Sequence, residues 1–358
     1  MSKVAVLKTA PETVLEDVGK LMRLADYPVE LAKDKPLALK INISWQHWYP
    51  ACSTTPWQLE GVIKTLLDDG YDRAKIYGAH NRTVVVSAKE GEIANKHKVV
   101  LDKYDIANIH LYENEEWITY EPKQDLLVLP EIFPEGIRIP KRLVGSNIIQ
   151  LPTMKTHVFT TMTGAMKNAF GGLLHDRRHW THSVIHETLV DLLTIQKDIH
   201  PGVFAVTDGT FAGDGPGPRA MIPYVKDYLL ASRDQVAIDA ISAKMMGFDP
   251  MRLDFIRLAH EKGLGVGNPS EIEVVGEDIS NVNFHFTGSA NTFASRGQKA
   301  IYWGPLKFLE KFLLRTVLTP WSYAASRLYH DAYWYNFVGK KRVREALKTK
   351  WGKLFQSY

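Results

Sequence analysis

The chain carries one cysteine, Cys52, among its 358 residues. A lone thiol excludes an internal disulfide framework, an all-cysteine zinc ribbon and an iron–sulfur cluster held by four cysteines of the chain's own. Any metal it binds needs nitrogen and oxygen ligands. Long apolar runs are missing too: no stretch approaches the roughly 20 residues that a membrane-spanning helix requires. MSKVAVLKTA has a lysine but no apolar stretch behind it, which predicts no secretory leader and a cytoplasmic location. Neither sign of charge dominates, with a formal net charge of +4. Internal repeats, low-complexity segments and the GxxxxGK[ST] phosphate loop are also absent.

What is present reads as a globular α/β chain, 45% hydrophobic. Short β-rich runs (VAVL, LALKINI, AKIYGAH, ANIHLY, DLLVL, NIIQLP, VFAVTDG, YLLASRD, EIEVVGED) alternate with helical patterns near 12–26, 56–69, 86–96, 160–170, 180–198, 235–246 and 251–262. Such alternation predicts a mostly parallel or mixed sheet covered by helices. Thr55 followed by Pro56, with Gly70 beyond, marks one helix at both ends. The body is expected over 1–298, open to a division into lobes 1–150 and 151–298. A C-terminal aromatic and basic helical extension follows over 299–358.

That extension is a different material. Residues 300–358 hold eleven Lys/Arg against three Asp/Glu, with four of the nine tryptophans. Two or three amphipathic helices broken at Pro320 and Gly339 are expected. They dock on the body, pair two copies as a homo-oligomer, or make peripheral contact with an anionic membrane, which wants aromatics on one side and lysines on the other. Nucleic acid is not expected as a partner, because these aromatics are too apolar and too helix-bound to serve as stacking platforms.

Four histidines, His175, His179, His182 and His186, recur at spacings of four, three and four. On one helix, at about 100° per residue, such spacing points four rings along one face. The same stripe continues into Leu189 and Leu193, so the rings aim inward, toward a metal or catalytic site. A helix starting only at Ser183 would leave them unaligned.

In open α/β sheets ligands gather at the carboxyl ends of the strands, where the polar motifs of this chain fall. LPTMKTHVFTTMTGAMKNAFGG, residues 151–172, sets Lys155 and His157 beyond a strand end and Lys167 with Asn168 near a glycine-ended helix, a cradle suited to an anion. VTDGTFAGDGPGPRA, residues 206–220, sets Asp208 at a strand end and Asp214 with Arg219 in a Gly/Pro loop. The carboxylates suit a hard cation or a histidine, and the guanidinium suits a carboxylate or phosphate. Asn42, Thr54 and His80 lie just past two further strand ends. Asp234 reads as a helix cap. Asp239, on an apolar helix, needs a buried partner such as a lysine or backbone amide.

In series, KINIS with TTP, LPTMKTH, TGAMKNAFGG, His186 before LVDLL, VTDG with GDGPGPR, and LASRDQVAIDAISAKMMG resemble the DUF362 family from about Lys3 to Gly276. The resemblance places Lys155, His157, Lys167, Asn168, Asp208, Gly215, Asp234 and Asp239 in the family's motif positions. It identifies a family whose chemistry is unassigned and whose members often carry a ferredoxin-type domain. That domain is missing here, so no iron–sulfur cluster of the chain's own is expected.

The expectation is a metal-dependent enzyme acting on a small anionic metabolite, a carboxylate or phosphate. His157, Lys155 and Lys167 are assigned to catalysis. Asn42, Thr54, His80, Asn168 and Arg219 are assigned to substrate. His175, His179, His182, His186, Asp208 and Asp214 are assigned to a divalent ion (Fe, Zn, Mn or Ni) that polarises a carbonyl or activates water. The alternatives are a non-catalytic binding or partner subunit, membrane-associated through 300–358, and a metal-free enzyme with a nucleophilic lysine.

Overall fold

The structure, a computed structural model, describes residues 2–83, 85–288, 290–314 and 320–358. Strands Leu37–Ile41, Ile76–His80, Asn147–Leu151 and Val203–Asp214 are buried at every position. A strand buried on both faces belongs inside a parallel sheet with helices above and below. Across the sheet the order runs Ile272–Gly276, Ser2–Lys8, Ile222–Ser232, Val203–Asp214, Asn147–Leu151, Leu37–Ile41, Ile76–His80, Ala107–His110. Ile222–Ser232 runs antiparallel to both neighbours, and the other pairings along this order are parallel. Thr153–His157 pairs with Val203–Asp214 and carries the short strand Thr161–Met162. The fold is therefore α/β, as the alternation implies, and strands from 1–150 and 151–298 interleave in this one sheet.

One face is covered by helices Val14–Leu24 and Pro56–Asp68, whose Val18, Leu21, Trp57 and Ile63 enter a core shared with the sheet. The opposite face packs Ile185–Ile199 and Gln235–Met246 through Leu189, Leu193, Ile238 and Ile241. Thr55 caps the helix after it with a reciprocal bond to Gln58, the box that Thr55 before Pro56 leads one to expect.

Several elements differ from the sequence reading. DLLVL is not a strand. The N–H groups of Leu127, Val128 and Leu129 donate to the Asp191 carboxylate at 2.6, 2.9 and 2.9 Å, so no neighbouring strand receives them. A two-stranded sheet of Trp117–Tyr120 and Ile137–Pro140 adds a pairing that the β-rich runs do not include. Residues 176–184 wind as a 3₁₀ helix and the α-helix begins at Ile185, so the four histidines do not share one helical face.

The C-terminal segment is helical and packs on its own chain; residues 315–319 lie outside the described residues. Pro320 opens a helix rather than breaking one, as proline can at a first turn. Gly339 continues from a π-helical stretch into Lys340–Lys348, and the break falls at Thr349, whose hydroxyl caps the last helix. Trp334, Trp351 and Phe355 are buried in the core on the Val14–Leu24 face. Trp351 Nε1 donates to Asp227 at 2.6 Å, and Asp331 accepts from Trp45 Nε1 at 2.6 Å and Gln46 at 2.8 Å. No helix among the described residues is long and apolar enough to cross a membrane.

Candidate functional site

The carboxyl ends of Leu37–Ile41, Ile76–His80, Asn147–Leu151 and Thr153–His157 open into a cavity of about 300 Å³. Nine of the residues singled out in the sequence line it: Asn42, His80, Lys155, His157, Lys167, Asn168, His179, His182 and Arg219. Lys40 and Arg178 join them, making five cationic side chains. Among the described residues that line the cavity there is no carboxylate. So much positive charge gathered in one enclosed space is costly unless an anion enters.

Lys40 sits on an interior strand and is 3% exposed, its ammonium turned back onto the Ile41 carbonyl at 2.6 Å. Gly172 makes room for it, since a Cβ there would come within 2.6 Å of Lys40 Cε. This is what the second glycine ending TGAMKNAFGG does. Asn168 donates to the Lys40 carbonyl and to Gln150, both at 2.9 Å. Lys155 is 1% exposed, with Nζ on the Cys52 carbonyl at 2.8 Å and the Thr153 hydroxyl at 2.6 Å. Lys167 lies over the Phe170 ring, 5.3 Å from its centroid.

The GDGPGPR loop rides directly on the Lys155 strand. A Cβ on Gly217 would stand 1.9 Å from the Thr156 carbonyl, so only glycine allows this approach. The loop thereby delivers Arg219, whose Nη1 is sealed from solvent with no hydrogen-bond partner among the described residues. Burial lowers the Lys155 pKa to about 8. Burial together with nearby Arg178 brings Lys40 to about 7, and burial with Lys155 and Arg178 brings Lys167 to about 7. Arg219 is lowered by burial as well.

Five histidines line this space, among them His157 and His182. His157 Nδ1 accepts the Phe159 N–H at 3.2 Å, so its own hydrogen resides on Nε2. His182 Nδ1 lies 2.9 Å from the His179 carbonyl, which can only accept, so Nδ1 carries the hydrogen and Nε2 a lone pair. Both rings are held neutral. Burial drives His157 well below 6.5, helped by Lys167, His182 and Lys155, and burial brings His182 to about 3. The roof of the cavity comes from the C-terminal segment through Tyr302, Ser326 and His330.

The structure does not gather the six residues assigned to a metal. His175 caps the 3₁₀ helix and lies in a neighbouring cleft with Trp117 and Arg177. His186 packs beside Phe255. Asp208 is a core staple: its carboxylate takes the hydroxyl of Thr55, Trp57 Nε1 at 3.1 Å and Thr210 N–H at 2.6 Å. Asp214 is spent on the backbone of Thr287 and Gly288 at 3.0 and 3.3 Å. Only His179 and His182 of the set reach the cavity. Thr54 lies beneath the site, accepting from Asn42 N–H at 2.8 Å and donating to the Leu151 carbonyl at 2.7 Å.

Asp234 caps its helix through Val236 and Ala237. The partner Asp239 needs is the backbone: Ala165 and Met166 N–H donate to it at 2.7 and 3.1 Å, which fixes the turn bearing Lys167 and Asn168. Lys40 is legible in the sequence as a lysine inside an apolar strand. Tyr302, Ser326 and His330 have no local signal.

A family model described as Domain of unknown function (DUF362) matches residues 37–244, more than half of the chain. The thylakoid-associated protein sll1697 of Synechocystis sp. is 30% identical over 146 residues, covering 38% of this chain and 43% of that relative. The match thus spans less than half the relative's length. No solved structure matches the chain.

Proposed function

The chain belongs to the DUF362 family, and we propose that it is an enzyme acting on a small, multiply charged anion, a carboxylate or phosphate, held at the strand ends. The observation that carries this reading is a cavity lined by Lys40, Lys155, Lys167, Arg178 and Arg219 and, among the described residues, by no carboxylate. Bound negative charge restores the ammonium groups to their charged forms and gives Arg219 Nη1 an acceptor. His157 offers a neutral N–H donor and His182 a lone pair to the same ligand. One can therefore polarise a carbonyl or phosphoryl oxygen while the other accepts a proton. The bound anion offsets the repulsion from Lys167 that both rings feel and so lifts both imidazole pKa values. A divalent ion remains part of the proposal, at ligands other than the six assigned from sequence.

Thermal shift and calorimetry with phosphate, pyrophosphate, citrate and neutral glucose test the site. The anions should stabilise the protein by about 2.7 kcal/mol at a hundred times their dissociation constant, and Lys167→Met and Arg219→Met should remove most of that gain. Equal responses to glucose and citrate would end the reading.

A second reading is favoured by the outer face of the C-terminal segment. Phe308, Phe312, Leu328 and Phe337 are 79%, 58%, 69% and 72% exposed within the basic segment 300–358. Exposed aromatics among lysines suit an anionic lipid interface, and the matched relative's description as thylakoid-associated supports it. Sedimentation with anionic vesicles at low and high salt tests it. Phe308→Ser with Phe337→Ser should lower the bound fraction several-fold, and unchanged binding would assign these aromatics elsewhere.

A further inference from the structure

Beside the cavity, the ends of two adjacent parallel strands place His80 opposite His110, and helix Ala88–Ala94 supplies Glu92 from above. The three side chains meet at one atom. Glu92 Oε2 lies 3.0 Å from His80 Nε2, 2.9 Å from His110 Nε2 and 2.7 Å from Asn108 Nδ2. His80 and Glu92 are buried, and His110 is largely so.

Hydrogen bonding alone serves this cluster poorly. His110 has a carboxylate oxygen at each nitrogen, Glu113 at 3.3 Å from Nδ1 and Glu92 at 2.9 Å from Nε2. A neutral ring carries one hydrogen and one lone pair, so unless the ring takes a second proton its lone pair faces a carboxylate. Three nitrogens crowd a single oxygen of Glu92. His80 Nδ1, on the ring that lines the cavity, is sealed from solvent and has no partner. A cation among the two Nε2 atoms and the carboxylate turns the lone pairs into ligands, puts the His110 hydrogen on Nδ1 toward Glu113, and puts the His80 hydrogen on Nδ1. A carboxylate holding the second nitrogen of a ligating histidine is the usual supporting arrangement at such centres.

We propose that His80, Glu92 and His110 form a divalent-metal site of the zinc class, with Glu113 orienting His110 and the remaining coordination open to water. Two imidazoles and a carboxylate are a set that zinc, iron, manganese and nickel accept, and a single open position is the pattern of zinc centres that are not purely structural. Glu92 and His110 do not line the anion cavity, so the site stands whether or not the cavity binds an anion.

The test uses the full-length, untagged, chelator-treated protein and Zn²⁺ or Co²⁺ alone. Calorimetry should give one equivalent of Zn²⁺ bound with proton release that grows as pH falls, and Co²⁺ should develop the visible absorption of a low-coordinate nitrogen and oxygen site. Glu92→Gln and His110→Ala should each weaken binding by at least about tenfold, while His285→Ala, at a histidine distant in sequence, should not. Circular dichroism separates loss of ligand from loss of fold. Should both variants unfold, Glu113→Gln decides the matter: a smaller loss of affinity supports the site, and unchanged affinity overturns it. No saturable binding in the parent protein, or binding unchanged in folded Glu92→Gln, likewise overturns the proposal.

Discussion

His157 and His182 face one cavity with opposite hydrogen-bond polarity: the first accepts at Nδ1 from the Phe159 N–H, and the second donates from Nδ1 to the His179 carbonyl. The backbone sets both tautomers, so the pair does not depend on a ligand to be sorted into donor and acceptor. Long-range ¹⁵N–¹H correlation spectra should show the Nε2–H form for His157 and the Nδ1–H form for His182. His182, which burial brings to about 3, should stay neutral from pH 8 to pH 5, and His157, which burial holds well below 6.5, should be neutral at pH 8. Matching tautomers in the two rings would refute the assignment.

The buried lysines make stability depend on pH in a defined sense. A lysine titrates near 10.5 when unfolded, whereas Lys40 and Lys167 titrate near 7 and Lys155 near 8 in the fold. Between those values the unfolded chain holds more protons, so the ligand-free protein gains stability as pH rises. From pH 8 to 9 the denaturant midpoint should climb, and Lys40→Met should flatten the climb while raising stability at pH 8 by ~1–2 kcal/mol. A slope unaltered by the substitution would mean that Lys40 keeps its proton through a partner.

Asp239 works in the opposite direction. Burial raises its pKa to about 7, despite the two backbone N–H groups it accepts. Its contribution is complete below the unfolded carboxylate value of 3.8 and is lost as pH rises through about 7. Asp239→Asn replaces one acceptor oxygen by an NH₂ facing an N–H donor, and should cost ~1–3 kcal/mol. Because the turn it fixes carries Lys167, anion-induced stabilisation should fall too, read by thermal shift with citrate. Loss of stability with full citrate response would limit Asp239 to a structural role.

Trp351 ties the C-terminal segment to the body. It is fully buried, donates to Asp227 and lies 5.2 Å from the Trp57 ring centroid. Trp351→Ala should cost ~3–5 kcal/mol, measured by urea unfolding. A change within ~0.5 kcal/mol, as at a surface site, would make the segment an independent appendage.

Much of this architecture is legible in residue patterns. Lys155 and His157 lie on a strand near its end, with Lys167 and Arg219 in the turn and loop that follow strands, and strand ends are where an α/β sheet keeps its ligands. The histidine stripe fails because 3.6-residue periodicity holds only inside an α-helix, and residues 176–184 wind more tightly. Asp208 and Asp214 mislead for a different reason: a carboxylate near a strand end serves equally to staple a helix or a loop, and its donors, Thr55 and Thr287, lie 153 and 73 residues away. His110 and Glu92 carry no sequence signal because strand pairing, and not spacing along the chain, brings His110 to His80. The roof residues Tyr302 and His330 belong to the same class of contact.

The position of the first strand has a consequence for synthesis. Ser2–Lys8 inserts between Ile222–Ser232 and Ile272–Gly276, so this strand is made more than 200 residues before either of its partners. Until then Val4 and Val6 lack both flanking strands, and a fragment ending at residue 160 exposes them along with the open edge of Asn147–Leu151. Contacts so distant in sequence favour slow, all-or-none closure. Amino-terminal fragments of this protein should therefore be captured by chaperones or aggregate rather than persist as folded pieces.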